Sequence, residues 1–133
     1  MDKKELINYW KETSDRDYGT MRNLYKSGDY HWSLFMGHLV IEKLLKALYV
    51  KNNDEGAIPP RTHDLAFLAE RSGVTTSEEM KDALDIVTTF NINARYPDYR
   101  QDFYRKCSKD YTGASIEKIE EIRKWLISLL EKI

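Results

Sequence analysis

From Asp29 to about Asn52, Leu34, Ile41, Leu44, Leu45 and Leu48 fall at helical spacing and form the strongest apolar stripe in the chain, behind Asp29 as N-cap. Such a face needs covering, so this helix is expected at the heart of the core. Upstream, Leu6, Trp10, Thr13, Met21 and Leu24 keep the same spacing from about Asp2 to Ser27, and Ser27-Gly28-Asp29 supplies the stop. Two long helices joined by a tight Gly-Asp turn predict an antiparallel pair. Asp17 breaks the pattern, because it lies on the seam between Thr13 and Met21, where an inward carboxylate needs a partner. Arg95 is the candidate. Trp32 and Met36 lie off the main stripe, as a second seam or as a wider core face.

The polar stretch Asn52 to Gly56 and the pair Pro59-Pro60 end the second helix. Thr62 can cap a short third helix carrying Leu65, Phe67 and Leu68, closed near Ser72-Gly73. Thr76 and Glu79 have capping-box spacing ahead of a fourth helix with Met80, Ala83, Leu84, Val87 and Phe90. An irregular Tyr- and Arg-rich segment then runs from Pro97 to about Gly113. Ser115 opens the last helix, with Ile116, Ile119, Ile122, Leu126, Leu129, Leu130 and Ile133 on its buried face. The expectation is an all-α, up-and-down antiparallel bundle of about five helices in one domain over residues 1–133, with no strand and no repeat.

With 32% charged residues and a formal net charge of -1, the chain is not a globally basic nucleic-acid binder, so any polyanion site must be local. Cys107 is the only cysteine, which excludes an internal disulfide and thiolate zinc sites and fits a reducing cytoplasm. No apolar run approaches a bilayer span, and no membrane association is expected. His31 and His38 stand two helical turns apart, about 10.5 Å along the axis, too far to share one ion. No metal and no cofactor are expected. The glycines form no phosphate-cradling loop.

The chemistry-bearing stretch is Arg95 to Lys109, with Arg95, Arg100, Arg105, Lys106 and Lys109 interleaved with Tyr96, Tyr99, Phe103 and Tyr104. Pro97 pushes Tyr96 out of the helix and leaves Arg95 on its last turn. There a cation complements the helix dipole, or it joins Tyr96 and Tyr99 in offering a guanidinium fork and aromatic faces to a nucleotide or single strand across a groove. The same residue types also serve ordinary packing, and both readings stand.

Ser27-Gly28-Asp29-Tyr30 leading into Leu39 to Leu48, then Thr62-His63-Asp64-Leu65-Ala66-Phe67-Leu68, then Asn93-Ala94-Arg95-Tyr96-Pro97-Asp98-Tyr99, together resemble the HEPN family in order and spacing. The likeness covers nearly the whole chain. It implies a HEPN-like bundle, similar to nucleotidyltransferase substrate-binding subunits. It also implies a homodimer in a prokaryotic toxin–antitoxin or defence pair that binds a nucleotide, RNA or a minimal nucleotidyltransferase partner. Many relatives are ribonucleases whose signature is an arginine followed by a histidine. Arg95 matches the arginine, but Arg100, Gln101 and Asp102 occupy the histidine's positions. An arginine cannot shuttle protons, which argues against an enzyme. If the chain is active, Arg95 is the catalytic residue, with His63 as a substitute proton carrier. The binding positions are Arg95, Tyr96, Asp98, Tyr99 and Arg100. The alternatives are a metal-independent ribonuclease using Arg95 and a plain helical dimerisation or adaptor module. Glu42, Lys43 and Lys46 match the family pattern too, and also suit charge pairs on a solvated face.

Overall fold

A computed structural model describes residues 1–132, which contain six helices and no strand. They are α1 (Lys3–Ser27), α2 (Tyr30–Asn52), α3 (Leu65–Arg71), α4 (Glu78–Arg95), α5 (Pro97–Lys106) and α6 (Lys109–Leu130). Ile133, expected on the last buried face, lies outside the described residues. No helix among them is long and apolar enough to cross a membrane.

The bundle is built around α2, which packs on α1, α6, α4 and α3. Leu34, Ile41, Leu44, Leu45 and Leu48 are all buried. Asp2 caps α1, its side chain accepting from the Glu5 amide at 2.8 Å. Gly28, at φ 85°, turns the chain in the left-handed region that only glycine enters cheaply, and the Asp29 amide closes the end on the Leu24 carbonyl. Two buried serines then tie α1 to α2: Ser14 Oγ donates to the Val40 carbonyl at 2.8 Å and Ser33 Oγ to the Met21 carbonyl at 2.7 Å. Met36 is partly buried against the core, so it widens the core face, whereas Trp32 is exposed and meets Phe35 edge-on.

Several local expectations are corrected. Asp29 makes no side-chain cap bond, because its carboxylate accepts from Ser27 Oγ at 2.6 Å. Asp64, not Thr62, caps α3, while Thr62 Oγ accepts from the Asp64 amide. Ser77, not Thr76, caps α4 by accepting from the Met80 amide at 3.0 Å. The segment after Pro97 is helical: proline's missing donor costs nothing at the first position of α5. The last helix begins at Lys109 behind Ser108, well before Ser115.

The partner proposed for Asp17 is also corrected. Asp17 binds Lys43 Nζ at 2.5 Å across the α1–α2 seam, while Arg95 is engaged on its own helix.

Gly37 lets α2 pass close to α6. A Cβ there would stand 2.5 Å from Ile119 Cδ1 and 3.2 Å from Met21 Sδ, both fully buried. Gly37→Val is therefore expected to lower unfolding free energy by about 1–3 kcal/mol through overpacking, despite the gain in helix propensity. Urea unfolding measures this, and an unchanged midpoint would mean that α2 and α6 do not approach so closely.

Candidate functional site

Three residues on α2, His38, Glu42 and Lys46, are spaced four apart and so share one face. On α4, Asn91 and Arg95 repeat that spacing, and His63 joins from the segment before α3. A continuous hydrogen-bonded path links all six. Lys46 Nζ donates to Glu42 Oε2 at 3.2 Å, and His63 Nδ1 meets Glu42 Oε1 at 2.6 Å. His38 Nε2 lies 2.9 Å from the His63 carbonyl, Asn91 Nδ2 lies 3.3 Å from His38 Nδ1, and Arg95 Nε donates to Asn91 Oδ1 at 2.7 Å.

The chemistry fixes the direction of each bond. A carbonyl only accepts, so His38 Nε2 carries the proton and Nδ1 is left to accept. Asn91 must then turn its amide nitrogen toward His38, which leaves its oxygen for the Arg95 Nε–H. Burial of the His38 ring is the main force holding its pKa below the usual histidine value, with Arg95 acting in the same direction, and this agrees with the neutral tautomer. Asn91 is 1% exposed and His38 fully buried, so the guanidinium is held from inside the bundle.

Outside, the arrangement is open. Arg95 is exposed, with its guanidinium carbon 5.4 Å from the centre of the Tyr96 ring and its terminal nitrogens free of partners among the described residues. Arg95, Tyr96 and Tyr99 all lie exposed around the junction where α5 resumes directly at Pro97. A cavity of about 300 Å³ near α5 is lined by Tyr30, His31 and Tyr104, not by Arg95. Arg100 donates to the Arg95 carbonyl at 2.8 Å and locks the chain reversal. Tyr96 and Tyr99 are about half exposed. Asp98 sits in the first turn of α5, where a carboxylate complements the dipole, and Asp17 lies apart on the α1–α2 seam.

The structure also brings together His63, the substitute proton carrier, with Glu42 and Lys46, which suit both the family pattern and a solvated charge pair. Glu42 is 4% exposed, and its carboxylate accepts from both Lys46 and His63. The His63 ring, about half exposed, donates through Nδ1 to that carboxylate, which leaves Nε2 with the lone pair that can take a proton. The available signal was the i,i+4 pair His38 and Glu42 together with His63, but nothing local shows that His63 returns to that face.

Over residues 7–132 the chain matches the family model for the HEPN domain. Its fold is similar to that in the crystal structure of TT1696 from Thermus thermophilus, with a TM-score of 0.78, 19% sequence identity, 92% of this chain covered and 96% of that one. No curated protein matches the chain. At that identity the structural likeness speaks for the fold alone.

Proposed function

We propose that this chain, which belongs to the HEPN domain family, is a cytoplasmic module that binds the phosphate of a nucleotide or RNA strand through Arg95. The observation that carries this reading is the path Arg95–Asn91–His38. It holds the guanidinium by Nε and leaves both terminal nitrogens for an oxyanion. Tyr96 and Tyr99 offer faces for a base, and Arg100 adds charge. A homodimer and a minimal nucleotidyltransferase partner belong to the same reading through the family.

Fluorescence anisotropy with labelled single-stranded RNA tests it. The double variant Arg95→Ala/Arg100→Ala is expected to weaken binding at least roughly tenfold. It should also flatten the dependence of log K on log salt by about 0.7 for each phosphate that is no longer neutralised. Equal affinity in the variant and the parent removes the reading.

The His63–Glu42 pair favours a second reading, a metal-independent ribonuclease. In it His63 Nε2 takes the ribose hydroxyl proton and Arg95 neutralises the phosphate. Incubation of RNA with the protein in chelator tests this, and RNA that stays intact for hours, or cleavage that survives His63→Ala, argues against it.

A further inference from the structure

We propose that His38, Glu42 and His63 form a binding site for a divalent ion of zinc's class. One ligand atom from each residue lies within 4.8 Å of the others. His38 Nε2 stands 3.9 Å from Glu42 Oε1, and His63 Nδ1 stands 2.6 Å from the same oxygen. Zinc bonds of about 2.0–2.2 Å place tetrahedral neighbours roughly 3.3 Å apart. Toward that spacing the His38–Glu42 pair must close and the His63–Glu42 pair open, each by about 0.6–0.7 Å, and the His63 carbonyl, 2.9 Å from His38 Nε2, must give way to the ion. Two imidazoles and one carboxylate suit zinc, cobalt or nickel and not magnesium or calcium. Three protein ligands leave a fourth position for water, on the side where the His63 ring reaches solvent.

The ion would replace hydrogen bonds that now close the cluster. Each ring would bind through the nitrogen that now donates a hydrogen bond, so the proton must leave His63 Nδ1 and His38 Nε2, and His38 then carries its proton on Nδ1. The Lys46 ammonium, 3.2 Å from Glu42 Oε2, opposes the added charge and moderates affinity. The larger consequence falls on Asn91. Once His38 Nδ1 carries a proton it needs an acceptor, as ligating histidines do, and the Asn91 oxygen is the group in place. Asn91 must turn over, which takes that oxygen from Arg95 Nε. Metal binding and the clamp on Arg95 are thus mutually exclusive.

Calorimetric titration of the chelator-treated protein with zinc, and the visible absorption of cobalt, test the site without any nucleic acid. One ion per chain is expected, with a cobalt spectrum of tetrahedral type. Glu42→Gln and His63→Ala should each lower affinity by about 10–100-fold, while His31→Ala leaves it unchanged. Melting curves establish that each variant is folded, and His63→Ala, at a half-exposed position, is the safer of the two ligand variants. In an NMR titration with zinc, the Arg95 Nε–H resonance should shift in step with loading. No saturable binding by the parent protein, or binding unaffected in folded His63→Ala, overturns the site. An Arg95 Nε–H signal that stays fixed at saturation overturns the exclusion.

Discussion

Phe90→Ala lowers the free energy of unfolding by about 3–5 kcal/mol, a large share of the roughly 5–15 kcal/mol that holds a domain together. Phe90 is 1% exposed on α4 and stacks on Phe103 of α5, with ring centres 5.8 Å apart at 29°. Phe103 is the only residue within α5 that is buried, so this stack is its one core anchor, with Tyr104 meeting His31 of α2 edge-on nearer the surface. Truncating Phe90 leaves a cavity and also removes the seat of Phe103. The effect should therefore be uneven. Amide hydrogen exchange in α5 should accelerate before exchange in α2, because α5 can detach while the Leu34–Leu48 stripe stays covered. Since α5 carries Tyr99 and Arg100, the same change should also weaken RNA binding. A loss below about 1 kcal/mol, or α5 amides protected as in the parent, would mean that α5 is held by something other than the aromatic stack.

The same sparse anchoring explains what the sequence conveyed and what it concealed. The stripe on α2 and the Gly28 turn are local signals of period and backbone freedom, and both long helices are visible in them. α5 has no stripe to read: one buried phenylalanine among charges looks like a loop, and Pro97 reads as a terminator although it also suits the first turn of a new helix. Gly113 suggested a break before the last helix. It lies inside α6, where a Cβ would stand 2.9 Å from Tyr25 Oη, so its smallness serves packing and not a turn. Glu42 and Lys46 have the spacing of an ordinary surface ion pair, and only the tertiary fold, by bringing His63 over them, turns that pair into a buried junction. Arg95 was legible as a cation at a helix end, but its tether through Asn91 to His38 joins α4 to α2 and leaves no local trace.

Asn91→Leu is expected to weaken RNA binding about tenfold although Asn91 is buried and need touch no ligand. Leucine has a similar volume, so the core is neither emptied nor crowded, but both polar bonds vanish. His38 Nδ1 then sits fully buried without a donor, at about 1–3 kcal/mol of stability. The exposed Arg95 Nε can turn to water instead. Its cost appears on binding, where a long side chain freed from its tether must be ordered again at up to about 2 kcal/mol. A double-mutant cycle separates this from a general loosening of the fold. In an Arg95→Ala background the Asn91→Leu change should leave affinity where it is, because there is no guanidinium left to position. Arg95→Lys should behave like the alanine variant in that cycle, since lysine keeps the charge but has no Nε–H for Asn91 to accept. Additive losses at Asn91 and Arg95 would show that the buried path does not act through the arginine.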